Sequence, residues 1–464
     1  MRSFQGSISQ RYMLNKWLYT RVDNSALVLF RVVFGLLIAL EAWGAIATGW
    51  IKRTLLDSDF NFHFIGLDFL QPLPGYGMYY YYGIMGLLGI FVMLGYRYRL
   101  SILCYGILWA GVYFMQKSSY NNHYYLLLLL LGLLACMPAN RYLSLDVWRR
   151  PELKRFSMPQ WVYIVIIAQL WIVYTFGAIA KLYPDWLDAS VPGMLMRARS
   201  HYWGIGDILQ EKWTHYIIAY TGVIFDALII PALLWRRTRK SAFVLSIFFH
   251  LFNSIVFQIG IFPYMSLAFT LFFFPAEIIQ RIFLRKKPFY AKKELILPKN
   301  RKFTQVIFLI YFIFQIGLPL RHWFIKDNVL WTEEGHRLSW RMMLRAKSGR
   351  INFEVIDKKT QERIPVDRKD MLSPKQQRAV AVKPDMIWQF CQFLKQKFAK
   401  EGHDVSIYVD CKVRVNDHDY ETFIDPEVDM AAAKWDYFWH NEWIMPSELN
   451  KSKTVKKSIK PPFQ

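Results

Sequence analysis

Long apolar runs divide the first 320 residues, and Trp161 to Ala180 (WVYIVIIAQLWIVYTFGAIA) is the clearest of them. About 20 apolar residues in a helix cross the hydrocarbon core of a bilayer. A helix is favoured there because it satisfies its own backbone N–H and C=O groups. Runs of this kind fall at roughly 25–47, 76–95, 100–116, 121–137, 160–181, 215–235, 241–258, 262–280 and 303–320. They predict an α-helical polytopic membrane protein with about nine transmembrane helices. Ser241 to Gln280 reads as a tight hairpin turning near Gly260 and Pro263; one span plus a re-entrant piece is its alternative.

The aromatic share, 17% of 464 residues, suits helices with interfacial belts. The net charge of +23 would suit nucleic acid if it formed a patch. Instead the basic residues flank the spans on alternate loops: Arg97 and Arg99, then Arg149 to Arg155, Arg236 to Lys240, and Arg281 to Lys302. The positive-inside rule then places the amino terminus in the cytoplasm and the carboxy-terminal part on the outer (periplasmic or lumenal) side, and argues against nucleic-acid binding. Residues 1–24 carry no cleavable signal and read as an amphipathic cytoplasmic segment, with Tyr12, Leu14, Trp17, Leu18 and Tyr19 among basic residues.

From about residue 321 to 450 the pattern changes to a small α+β extramembrane domain. Ile351, Phe353 and Val355 alternate with polar residues, as do Ile407, Val409, Cys411, Val413 and Val415, which is the period of a half-buried strand. Met386, Ile387, Phe390, Leu394 and Phe398 keep helical spacing behind Pro384. Residues 451–464 are basic and are expected to be disordered. Of four cysteines, Cys104 and Cys136 lie in apolar helices, while a Cys391–Cys411 pair stays open. No Cys/His cluster has zinc spacing, so no metal site is expected.

Polar residues inside apolar runs carry the functional signal. Lys181 closes the 160–181 run just before Pro184; a lysine there can also simply snorkel. Asn121, Asn122 and His123 open another run, and His250 and Asn253 stand three apart in a third. With alternating spans, all three clusters fall at the outer face, around a lysine with no evident counter-charge. Tyr174, seven residues before Lys181, shares its helix face. The ordinary readings are that Asn121 and Asn122 cap a helix, that Arg31 and Glu41 form structural ion pairs with other helices, and that Gln169 and Asp226 join helices. The 182–214 segment, with Trp186, Trp203 and Trp213, is compatible with a lid or interfacial helix.

An ammonium taken partly out of water gives up its proton more readily. Lys181 is therefore a candidate general base for a membrane-soluble acid such as a phenol or hydroquinone. His123, Asn122 and Asn253 could then stabilise the resulting oxyanion.

At these positions the chain resembles the vitamin K-dependent γ-glutamyl carboxylase family. The resemblance runs through Leu67-Asp68 to Pro72-Leu73-Pro74, Tyr120-Asn121-Asn122-His123-Tyr124-Tyr125-Leu126, Ala180-Lys181-Leu182 with Asp185-Trp186, Phe249-His250 through Asn253, and Gly260-Ile261-Phe262. It continues in Gly335-His336, Ser339-Trp340-Arg341-Met342-Met343 and Phe423-Ile424-Asp425-Pro426. It implies reduced vitamin K (hydroquinone) as cofactor, with O2 and CO2 as co-substrates. Lys181 would deprotonate the quinol, with His123 beside it. The oxygenated quinol would act as a strong base on a peptidyl glutamate, which then takes up CO2, leaving the quinone epoxide. Asn121, Asn122, Tyr174, His250 and Asn253 would line the quinol site, and Trp340 and Arg341 would meet the glutamate-containing peptide or protein. Membrane lipids complete the expected partners.

The chain departs from the animal enzymes in being shorter and in reading Ala180-Lys181 where they have two lysines. A quinol epoxidase or oxidase without glutamate carboxylation is the first alternative, and a lipid-binding or transport membrane protein is the second.

Overall fold

The computed structural model describes residues 12–449. The expectations for residues 1–11 and 451–464 lie outside the described residues. Residues 12–19 are helical, with Tyr12, Leu14 and Trp17 exposed and Leu18 and Tyr19 buried. The chain forms two compact units. The first holds residues up to Asp57, His63–Tyr183 and Ile217–Gly317; the second holds Ser58–Phe62, Pro184–Tyr216 and the chain from Leu318 onward.

Among the described residues, seven helices are long and apolar enough to cross a membrane. They are α1 (Ser25–Ala47), α2 (Gly77–Leu94), α3 (Tyr98–Met115), the helix Trp161–Ala180, the helix Lys212–Leu234, the run Arg239–Phe257 and the run Arg301–Phe324. The apolar helices continue in chain order as α4 (Asn122–Cys136), α5 (Trp161–Ala180), α6 (Lys212–Leu234), α7 (Arg239–Phe252), α8 (Phe262–Phe269), α9 (Ala276–Phe283) and α10 (Arg301–Leu320).

The expected nine spans are not reached, for two physical reasons. Residues 121–137 yield only the 15-residue α4. Asn121 is extended (φ −146°, ψ 159°) and caps its start, and Pro138 holds Met137 extended (φ −87°, ψ 146°) at its end. Fifteen residues rise about 22 Å, short of a roughly 30 Å hydrocarbon core. The 262–280 run is broken: Phe262–Phe272 and Ala276–Phe283 meet at 118°. Pro275 between them lacks an N–H and disfavours helical geometry at Phe274. Counted as one bent span, the pair gives eight. The turn before it falls where expected, with Gln258 (φ 53°) and Gly260 (φ 60°) left-handed and Pro263 in the first turn of α8.

Helices α1 and α2 pack backbone to backbone. A Cβ on Gly35 would lie 2.3 Å from the Met93 amide nitrogen, and one on Gly89 would lie 2.8 Å from that of Ala39. Small residues permit this approach where lipid supplies no hydrophobic drive between helices. Polar side chains tie other helices together. Tyr311 donates to Gln169 (2.7 Å), Gln169 to Gln315 (3.4 Å) and Gln315 to Tyr125 (3.0 Å). The expected Arg31 and Glu41 ion pairs are absent among the described residues. Arg31 donates to the Leu143 carbonyl, and Glu41 accepts from Tyr124. β1 (Arg21–Asp23) pairs antiparallel with β2 (Ser157–Pro159), and Asp23 forms a buried ion pair with Lys287 at 2.6 Å.

The second unit holds a four-stranded sheet of order β4-β3-β5-β6: β3 (Lys347–Asp357), β4 (Arg363–Ile364), β5 (Val405–Val415) and β6 (Glu421–Thr422). β3 and β5 pair antiparallel from Lys347↔Val415 to Asp357↔Val405. The alternating apolar residues of both strands are buried, as expected from their period. They meet Met386, Ile387, Phe390 and Leu394 of the helix Pro384–Lys400, and the Phe353 and Phe390 rings lie 5.0 Å apart. Cys391 and Cys411 are free, buried thiols. The 184–216 segment belongs to this unit. Asp185 accepts from Asn416 and contacts His418, each at 2.8 Å; Trp186 is buried and Trp203 fully exposed.

Candidate functional site

Lys181 sits where α5 stops. Its backbone is still helical (φ −87°, ψ −7°); its N–H reaches back to the Ala178 carbonyl, and the Leu182 N–H to that of Ile179. Pro184 follows within a turn, so the chain turns away while the side chain stays under the helix end. The ammonium is buried and donates to the Gly177 carbonyl at 3.2 Å. It also forms an ion pair with Asp226 of α6, whose side chain is 8% exposed. The sequence expectation of a lysine without a counter-charge is therefore corrected. Asp226 does join helices, as expected, but does so by neutralising this lysine.

The other predicted residues connect to the pair through aromatic rings. Phe225, next to Asp226, is 3% exposed. It stacks on Phe249 at 3.7 Å, and meets His250 edge-on at 5.7 Å and Tyr174 at 6.1 Å. The Tyr174 hydroxyl lies 3.3 Å from His250 Nε2. Tyr174 is two turns from Lys181 on α5, so one helix face presents both groups. His250 in turn meets Phe262 at 6.4 Å, and Phe262 stacks on His123 at 4.0 Å with the rings 26° apart. The phenol and two imidazoles thus lie along one line of contacts, and it joins the lysine–carboxylate pair through the neighbouring positions Phe225 and Asp226 of α6.

Asn121 caps α4 by accepting the Tyr124 N–H at 2.8 Å. This is the ordinary reading of that residue. Asn122 is buried and accepts from the Tyr120 hydroxyl at 2.8 Å. Asn253 ends α7. Its side chain makes no hydrogen bond among the described residues. The line of contacts does not include Trp340 and Arg341, which belong to the second unit. Trp340 is fully buried with a left-handed backbone (φ 59°), and Arg341 lies 3.3 Å from His322 Nε2.

Around these two residues the second unit holds a charge cluster that sequence reasoning missed. Buried Glu333 pairs with Arg345 and, at 3.6 Å, with Lys347. Lys347 also donates to the Trp331 carbonyl and lies 4.2 Å over the Phe423 ring. Arg337 grips Asp385 with two bonds, 2.7 and 3.2 Å. Burial draws the Lys347 ammonium down to about 7, with Glu333 opposing. Burial would raise the Glu333 carboxyl, but Arg345 and Lys347 hold it well below the usual carboxylate range. A cleft of about 130 Å³ opens beside them, lined by Arg321, Arg337, Asp385 and Trp435 among others. The available signal was the motif Gly335-His336 to Met343, which lies between the paired Glu333 and Arg345.

Fold and site together define a polytopic membrane protein with a buried lysine–carboxylate pair near a packed set of aromatic rings and two imidazoles. Residues 19–277, more than half of the chain, match the family model described as the HTTM domain. Residues 300–450 match the model described as the lumenal domain of vitamin K-dependent gamma-carboxylase. The chain belongs to the vitamin K-dependent carboxylase family. No solved structure matches it.

Proposed function

We propose that this protein is a membrane enzyme that couples oxygenation of a lipid-soluble hydroquinone with carboxylation of peptidyl glutamate, Lys181 being the general base that takes the quinol proton. The observation that carries the reading is the buried Lys181–Asp226 pair on the helix whose Phe225 begins a line of contacts through Tyr174, His250 and Phe262 to His123. Reduced vitamin K, with O2, would supply the strong base needed at the glutamate γ-carbon, and CO2 would add there.

This chain's residues do the remaining work. For Lys181 to act as the base, Asp226 would take the ammonium proton across their contact, and the amine left behind would accept the quinol proton. His123, with Asn122, would stabilise the developing oxyanion. Tyr174 would hold the His250 ring. Asn121 would fix the start of α4, and Asn253 would line the same pocket. In the second unit, Arg341 would meet the peptide, and buried Trp340 would position it. The basic loops support an orientation with the amino terminus cytoplasmic and the second unit on the outer side.

Purified protein would be incubated with vitamin K hydroquinone, O2, labelled bicarbonate and a glutamate-rich peptide, in parallel with Lys181→Met. Lysine-dependent label in the peptide together with quinone epoxide is the expected result. Epoxide without label would leave the oxidase reading, and wild-type-like turnover by Lys181→Met would remove the base assignment.

A further inference from the structure

A second polar feature lies in the first unit, and the proposed chemistry does not use it. The ends of α1 and α3 and the starts of α2 and α4 surround a cavity of about 370 Å³. Glu41 reaches it from α1. A carboxyl group at such a depth is costly and needs a partner. One oxygen, Oε1, accepts from the Tyr124 hydroxyl at 2.7 Å. Among the described residues, Oε2 has no hydrogen-bond donor. It lies 3.7 Å from where a Cβ on Gly260 would stand, so the glycine leaves the space in front of it open.

The walls are aromatic: Trp50, Tyr82, Trp109, Tyr120 and Tyr124 all line the cavity. A carboxylate repels anions, which argues against a substrate glutamate here. No group of three or more His, Cys, Asp or Glu side chains that could hold a metal ion occurs among the described residues. One carboxylate among several aromatic rings is instead the chemistry that recognises an organic cation, through one ion pair and several cation–π contacts.

We propose that this cavity binds an alkylammonium group, with Glu41 as its counter-ion and the surrounding indole and phenol rings as its walls. The inference is independent of the quinol chemistry and concerns a separate set of side chains. A free amine and the headgroup of a choline or ethanolamine lipid share this chemistry.

The test is saturable binding of radiolabelled choline to the full-length protein in nanodiscs of phosphatidylglycerol. Its neutral isostere, 3,3-dimethylbutan-1-ol, serves as competitor. Choline is expected to bind, and the uncharged isostere to compete at least about tenfold more weakly. Glu41→Gln should weaken choline binding by roughly tenfold or more, and Tyr124→Phe much less. The comparison of choline with its isostere needs no variant, so it stands even if Glu41→Gln fails to fold. Repetition in phosphatidylcholine nanodiscs identifies the source. Loss of choline binding there marks a lipid headgroup as occupant, whereas unchanged binding marks a free amine. Absence of saturable choline binding in phosphatidylglycerol, or equal competition by the neutral isostere, overturns the proposal.

Discussion

Lys181 and Asp226 form a buried ion pair between the end of α5 and the middle of α6, and Gly177 takes a further lysine N–H. Breaking such a pair leaves one uncompensated charge in a low-dielectric site, which costs about 3–5 kcal/mol, whereas replacing both partners with apolar groups is close to neutral. Asp226→Asn is therefore expected to lower the thermal midpoint of the purified protein strongly. Lys181→Met combined with Asp226→Leu should recover most of that loss. A double variant no more stable than Asp226→Asn would show that the pair is not the source of the loss.

His123 offers a cleaner separation of stability from chemistry. Its ring stacks on Phe262 at 4.0 Å, and a phenyl group can make the same stack. His123→Phe should keep the unfolding temperature near wild type. Hydroquinone turnover should fall by about 10²-fold or more, the usual worth of a working imidazole. Near-normal turnover by this variant would reduce His123 to a packing residue.

Tyr174→Phe removes the 3.3 Å contact with His250 and leaves the ring against Phe225. One hydrogen bond of this kind contributes about 1 kcal/mol, so turnover should drop about fivefold. Steady-state kinetics at saturating quinol measure it directly.

The second unit carries a pH signature. Lys347 is drawn by burial to about 7 from a reference value of 10.5. Below pH 7 both folded and unfolded chains hold its proton, and the burial penalty is fully present. Between about pH 7 and 10 the folded chain has released a proton that the unfolded chain retains, so stability rises with pH. Glu333 acts at the other end. Its depressed folded value gives stability above its reference value of 4.5, lost as pH falls further. Thermal unfolding followed by tryptophan fluorescence should rise from pH 7 to 9.5, and Lys347→Met should flatten that rise.

The thiols provide a structural check. Cys136 is exposed, while Cys391 and Cys411 are buried, and burial pushes the Cys411 thiol up to about 12. Maleimide should label Cys136 well before either of the others. Non-reducing mass spectrometry should find no disulfide between Cys391 and Cys411.

Much of this architecture was legible in the residues themselves. Apolar length located the spans, because a bilayer admits few other solutions. Period two in 351–355 and 405–415 identified the strands, and Pro384 marked the start of the helix that covers them. Local punctuation also decides why α4 is short and why the 262–280 run bends. Pro138 and Pro275 are visible in the sequence, but hydropathy counts apolar side chains and ignores which backbone bonds a proline removes.

Tertiary structure alone decided which polar groups meet. Lys181 and Asp226 are 45 positions apart, and His123 and Phe262 are farther still. Sequence spacing reports neighbours on one helix face, not partners across two helices. It could therefore place Lys181, Tyr174, His123 and His250 at spans, yet it left Lys181 without a counter-charge and expected an ion pair at Glu41, which instead accepts from the Tyr124 hydroxyl. Likewise, segment 184–216 joins the second unit through Asp185, Asn416 and His418, contacts fixed only when distant parts of the chain pack. Membrane class and strand pattern follow from local solvation and periodicity; the site follows from helix packing, which brings residues distant in sequence into contact.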